Sequence, residues 1–259
     1  MHGVRPTYFE RYVALGDSST EGIDDPDGTG GYRGWSQRLA EKIAAAQGGL
    51  RYANLGVRGL TTAQVRERQL GAALALRPDL ATLFCGTNDV TGLSFDAERV
   101  AADIEHMQRE LVAAGATVLS FTLPDLTPLM PLARLIAPRI AALNHALARA
   151  SRSTGSILVD FAAHAAATDR RLWSEDRIHA NSEGHARIAE ALAHALHLPG
   201  SSEAWKQPLP TVREQTRRQW WAAEARWISR HLLPWAWQGV TRRSSADGQA
   251  PKRPELAPL

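Results

Sequence analysis

One cysteine, three methionines and the lack of any long apolar run are what this 259-residue chain offers first. With Cys85 alone no disulfide can form inside the chain, and its setting, Thr82-Leu83-Phe84-Cys85-Gly86, reads as a small buried hydrophobe rather than a nucleophile. No stretch reaches the ~18 apolar residues of a membrane span, and Met1-His2-Gly3-Val4-Arg5-Pro6 has no apolar signal core. A soluble cytoplasmic protein is therefore expected. Gly-x-Ser-x-Gly surrounds no serine, which argues against a strand-to-helix nucleophile elbow. Gly28-Thr29-Gly30-Gly31-Tyr32-Arg33 places Arg33 where a dinucleotide fingerprint needs its third glycine, which argues against nucleotide binding. The pairs His179/His185 and His194/His197 lack the carboxylate or cysteine set that completes a zinc site, so no metal is expected.

Charge is balanced overall but not along the chain. The formal net charge is +3; residues 1–200 hold 20 Lys/Arg against 22 Asp/Glu, and residues 201–259 hold 10 against 5. The basic character belongs to the tail, and no nucleic-acid fold signature accompanies it, so no nucleic-acid partner is expected.

What is present points to acyl chemistry. Tyr12-Val13-Ala14-Leu15-Gly16-Asp17-Ser18-Ser19 is an apolar run that ends in a glycine turn and leaves a hydroxyl at its exit, and Asp176-Arg177-Ile178-His179 supplies a carboxylate and an imidazole three residues apart. A serine hydroxyl needs a histidine to take its proton, and the histidine works best when a carboxylate holds its tautomer. Ser18, His179 and Asp176 are thus candidate nucleophile, base and orienter. Asn54-Leu55-Gly56 and Gly86-Thr87-Asn88-Asp89 close two more strand-like runs. The amides of Ser18 and Gly56 and the Asn88 side chain are candidate donors to an oxyanion. Asp17, adjacent to the nucleophile, is unsuited to be the triad acid; beside the substrate, its expected duty is hydrogen bonding within its own turn.

These four blocks, in this order, resemble those of the SGNH, or GDSL, hydrolase family, over roughly residues 10–198: Gly16-Asp17-Ser18, Gly56 within Asn54-Leu55-Gly56-Val57-Arg58-Gly59, Gly86-Thr87-Asn88-Asp89 and Asp176-Arg177-Ile178-His179. The resemblance implies a Ser18–His179–Asp176 triad, an oxyanion hole that includes Gly56 and Asn88, hydrolysis of a small-molecule carboxylic ester through an acyl-enzyme, and no metal or organic cofactor. Thr87 stands where family members often carry glycine, and Ser19 where many carry leucine. Deacetylation of a sugar, or hydrolysis of a lysophospholipid or thioester, uses the same machinery. A non-catalytic membrane- or partner-binding module is the alternative of a different class.

Strand-like runs at 11–16, 51–56, 79–85, 116–122 and 156–161 alternate with helical patterns near 33–47, 62–76, 96–114, 132–152 and 182–197. That alternation predicts a flavodoxin-like α/β/α sandwich on a five-stranded parallel sheet, with ligands beyond the carboxyl ends of the strands. Thr61-Thr62-Ala63-Gln64 has capping-box spacing, and Asn181 is a candidate N-cap. In the loop after the fourth strand, Leu126, Leu129 and Met130 are candidate acyl-chain contacts.

The hydrolase unit is expected to span 1–200. Residues 201–240 would form an amphipathic helical extension, with a helix across 212–233 that opens on a Thr211–Glu214 capping box and carries Trp220, Trp221, Trp227, Ile228 and Leu232 on one side and Arg218, Arg226 and Arg230 toward the other. So apolar a face needs a cover: its own domain, a second copy of the chain, or the surface of an anionic membrane. Residues 241–259, rich in Pro, Ser, Gly and charge, are expected to be disordered.

Overall fold

The computed structural model describes residues 8–92, 94–211, 216–234, 246 and 248–259. The strands are β1 (Arg11–Gly16), β2 (Arg51–Asn54), β3 (Leu80–Phe84), β4 (Thr117–Phe121), β5 (Ile157–Val159) and β6 (Arg253–Pro258). The helices are α1 (Ser18–Glu21), α2 (Gly34–Gln47), α3 (Thr62–Ala75), α4 (Thr87–Thr91), α5 (Ala97–Ala113), α6 (Ala137–Thr154), α7 (Ser182–Ala195) and α8 (Arg217–Trp227). The sheet runs β5-β4-β3-β1-β2-β6, parallel except for β6. Its first five strands have the expected flavodoxin-like order, and the strand order reverses between β1 and β3.

Burial explains why the parallel strands are short apolar runs. All five residues of β3, and Tyr12 to Gly16 of β1, are buried, as strands covered by helices on both faces must be. Helices α2 and α7 pack together in one layer; α3, α5 and α6 make the other. Two sequence-readable caps hold the helix starts: Thr61 and Gln64 form a capping box at α3, and Asn181 Oδ1 accepts the Gly184 N–H at α7, 3.1 Å away.

The sheet has six strands, not five. Arg253–Pro258 lies within the segment expected to be disordered, yet it pairs antiparallel with β2. Prolines at 254 and 258 hid it, because proline cannot donate to a ladder and so speaks against a strand; at a sheet edge the missing N–H costs nothing. Side chains stitch it down: Arg253 Nε donates to Tyr52 O at 3.0 Å with its guanidinium 5.5 Å above the Tyr52 ring, and Lys252 Nζ donates to Tyr32 O at 2.6 Å. β6 also covers the edge of β2.

The remainder of the tail divides. Within the predicted helix, α8 ends at Trp227 and continues as a π-helical turn, Ile228–Leu232. The Thr211–Glu214 capping box, the side chains of Trp220 and Leu232 and residues 235–245 lie outside the described residues. Among the described residues no helix is long and apolar enough to cross a membrane.

Candidate active site

Gly16 ends β1 where only glycine fits. Its φ is +150°, and a Cβ there would sit 2.1 Å from Phe84 O and 2.3 Å from Thr20 Oγ1. The buried Gln69 amide brackets this corner, accepting from Gly16 N and donating to Gly16 O at 2.8 Å each. The chain then turns through Asp17, whose Oδ1 accepts the Ser19 N–H at 3.1 Å, and starts α1 at Ser18. Ser18 is thereby placed at the carboxyl end of β1.

His179 arrives from the loop before α7. Its Nε2 lies 2.8 Å from Ser18 Oγ and its Nδ1 2.5 Å from Asp176 Oδ2. The other carboxylate oxygen, Asp176 Oδ1, accepts from Ser174 Oγ at 2.7 Å, Ile178 N at 2.9 Å and His179 N at 3.0 Å. Burial alone would raise the Asp176 carboxyl, but the His179 bond and charge and the two backbone donors outweigh it and hold the group well below the carboxylate range. For His179 burial opposes protonation, and the adjoining Asp176 more than offsets it, so the imidazole titrates above its ordinary value. With Asp176 accepting at Nδ1, that nitrogen carries the proton, and Nε2 is free to accept the one on Ser18.

The sequence-predicted donors do not all converge. Gly56 is buried, its N–H is already given to Asn54 Oδ1 at 2.8 Å, and a Cβ on it would meet Glu21 N at 2.7 Å. Gly56 is therefore a close-packing residue against α1 and no donor to the pocket. The glycine left free is Gly59, half-buried at φ +77°, whose N–H has no partner among the described residues. Its surroundings are fixed from both sides: Arg58 N donates to Glu21 Oε2 at 2.8 Å, Asn88 Nδ2 donates to Leu60 O at 3.0 Å, and Asp89 Oδ2 takes the Thr62 N–H at 2.8 Å. Asn88 is thus tied to Leu60, the residue after Gly59, and the Ser18 N–H is one of the orphan donors at the start of α1.

Beside Ser18 and His179 opens a pocket with a cavity volume of about 80 Å³. Phe84, Phe121, Leu123, Phe161, Trp173 and Trp205 are among the residues of its apolar wall. Its aromatic floor is interlocked: Phe84 stacks on Phe121 at 3.9 Å, and Phe161 meets Phe121 and Trp205 edge-on at 5.5 and 5.2 Å. The predicted acyl contacts Leu126, Leu129 and Met130 are not in this wall. They are buried in the core, because the loop folds its apolar side chains inward and presents Leu123 and Pro124 to the pocket. Asp17 does reach it, fully buried, with Oδ2 unpartnered; burial raises its pKa to about 7, against the lowering by Ser19 N–H and His179.

Two other candidates have structural duties. His185 accepts from Trp35 N and donates to Ile23 O, each at 3.0 Å, and burial pushes its pKa down to about 4. It ties the loop after α1 to α2. Cys85 is buried, which pushes its thiol pKa up and away from nucleophilic use. Asp24, Asp176 and His179 bring three potential metal-ligating atoms within 4.8 Å of one another, but two of these residues are already paired with each other.

A family model described as GDSL-like lipase/acylhydrolase matches residues 14–187, a span that holds Ser18, Gly59, Asn88, Asp176 and His179. The chain belongs to that family. Solved structures similar to it include TesA (21% identity, 72% of this chain and 98% of that one, TM-score 0.60), an esterase from Pseudoalteromonas sp. (18%, 73% and 97%, 0.58) and an acetylxylan esterase from Geobacillus stearothermophilus (18%, 77% and 97%, 0.59). At such identities these solved structures share the fold. No curated protein matches the chain. As a GDSL-family acylhydrolase the protein is an enzyme of ester hydrolysis.

Proposed function

We propose that the protein hydrolyses carboxylic esters of apolar acyl chains through a Ser18 acyl-enzyme. The observation that carries this is the unbroken line Asp176–His179–Ser18, with contacts of 2.5 and 2.8 Å, at the mouth of an apolar pocket. His179 takes the Ser18 proton as Oγ attacks the ester carbonyl, and Asp176 stabilises the imidazolium that forms. The oxyanion is met by the amides of Ser18 and Gly59 and by Asn88 Nδ2, whose other hydrogen is held by Leu60 O. His179 then returns its proton to the departing alcohol, and water deacylates the enzyme by the reverse relay.

The wall of the pocket favours an acyl chain longer than acetyl. Each methylene buried there contributes about 0.8 kcal/mol, so extending acetate to butyrate should raise kcat/KM about tenfold. A series of p-nitrophenyl esters from acetate to palmitate, assayed beside an acetylated xylose and a lysophospholipid, measures this. Preference for the acetylated sugar, or a flat series, contradicts the acyl-pocket assignment and supports the deacetylase reading.

The pH dependence has a definite sign. His179 must be neutral to accept the proton, and its pKa lies above the ordinary 6.5. The acid limb of kcat/KM should accordingly have its midpoint above 6.5, with Asp17 titrating in the same region at about 7. Measured profiles with a midpoint well below 6 contradict the assignment of His179 as base.

A further inference from the structure

Helix α8 meets the rest of the chain at the loop that carries two members of the triad. Arg177, between Asp176 and His179, has φ +66°, a left-handed conformation that a residue with a Cβ adopts only under constraint. Its guanidinium is buried, with only 6% of the side chain exposed, and faces Glu224 of α8: Nη2 donates to Oε1 at 2.6 Å and Nη1 to Oε2 at 2.9 Å. The same Nη1 donates to Leu129 O at 3.1 Å, and the guanidinium carbon lies 4.4 Å from the centre of the Trp227 ring. Trp227, itself buried, donates Nε1–H to the main-chain carbonyl of Asp176 at 3.1 Å.

Besides the bonds to the Asp176 carboxylate, the loop is closed at its base by a bridge between Trp173 and Ala180 and packs Ile178 on the core. Between Ser174 and His179 its backbone bonds are Ser174 N to His179 O at 2.9 Å and Arg177 N to Ser174 O at 3.2 Å. A buried guanidinium without its carboxylate is strongly unfavourable, so Arg177 can stay inside only while Glu224 is in place. An extension that merely covered apolar surface would end on side chains. This one ends on the carbonyl of the catalytic acid and on the residue that follows it.

We propose that α8 is a positioning element of the active site: Glu224 and Trp227 hold Arg177 and the Asp176 main chain so that the Asp176 carboxylate and the His179 ring stay aligned with Ser18. The proposal rests on the triad mechanism given above. It makes Glu224 and Trp227 positioning residues, remote from substrate, whose effect is on the chemical step.

The test uses the full chain with two single substitutions. Glu224→Gln keeps the shape and removes the charge; Trp227→Phe keeps a ring under Arg177 and removes the donor to Asp176 O. Each is assayed for kcat and KM on the best p-nitrophenyl ester, for the rate at which an alkyl fluorophosphonate labels Ser18, and for the downfield proton resonance of the His179 Nδ1–H bond. We expect kcat and the labelling rate to fall about tenfold with KM within twofold, because misplacement of a catalytic group by a fraction of an ångström slows chemistry more than binding. The resonance should shift upfield or broaden in both variants. Wild-type kcat and an unchanged resonance in a folded Trp227→Phe protein overturn the proposal, even if Glu224→Gln fails to fold or melts earlier. A wild-type protein inert to both ester and fluorophosphonate instead refutes the triad mechanism, and the Nδ1–H resonance still reports on the loop geometry.

Discussion

Replacing Ser18 by alanine should lower kcat by at least ~10³ and leave the fold intact, the larger consequence being chemical because, among the described residues, Ser18 Oγ bonds only to His179. The corner that carries the serine is built by other groups. Gly16 and the Gln69 amide close the end of β1, Asp17 Oδ1 holds the Ser19 N–H, and Thr20 Oγ1 donates to Leu15 O at 3.3 Å. None of these needs the hydroxyl. The variant should therefore melt within a few degrees of the parent, since a half-buried hydroxyl hydrogen bond is worth about 1 kcal/mol. Hydrolysis of the preferred p-nitrophenyl ester and a thermal melt give both readings. A well-folded Ser18→Ala protein with more than a tenth of the parent activity removes Ser18 from the mechanism.

How far the site was legible from sequence depends on whether a residue acts through its own side chain. Ser18, Asp176 and His179 announce themselves as candidates because the proposed chemistry lies in their residue types, and parallel strands announce themselves because burial on both faces demands apolar runs. A main-chain donor of the kind proposed for Gly59 gives no such signal. Gly56 and Gly59 are alike in sequence, and what separates them is Asn54, whose carboxamide sits two residues before Gly56 and captures its N–H. That is an Asx turn, readable in principle from Asn54-Leu55-Gly56. The apolar residues after β4 were legible as buried but not as buried on which side: Leu126 and Leu129 turn inward, and Leu123 turns toward the pocket.

The tail was the least readable part, for two separate reasons. Its last strand carries proline at an edge, where the ladder can spare a donor. Its helix carries tryptophans whose apolar character suggested one uniform face, yet Trp227 is buried on the Asp176–His179 loop while Trp221 and Ile228 are exposed at 63% and 40%. What distinguishes Trp227 is the pairing of Glu224 with Arg177, 47 residues apart in the chain and therefore invisible to any helical periodicity.

Asp176→Asn should be the most damaging isosteric change, lowering kcat by about 10⁴. Three donors converge on Asp176 Oδ1, from Ser174 Oγ, Ile178 N and His179 N. An asparagine must place its carbonyl oxygen there, which turns its amide hydrogens toward His179 Nδ1. That nitrogen then has to accept, the ring proton moves to Nε2, and Ser18 loses its base although every heavy atom stays in position. The stability signature follows from the same bonds. The depressed carboxyl of Asp176 contributes stability that is present above its unfolded pKa of ~3.9 and is lost as pH falls through the folded value. The raised pKa of His179 contributes stability that is complete below the unfolded ~6.5 and is lost as pH rises through the folded value. Asparagine abolishes the first contribution and, by removing the charge that raises His179, reduces the second, so the variant should lose most relative to the parent between these limits, near pH ~5. Urea midpoints measured at about pH 3, 5 and 9, with activity followed near pH 8, check both parts. An Asp176→Asn protein as active as the parent, or one equally destabilised at all three pH values, contradicts the Asp176–His179 pair as the source of either effect.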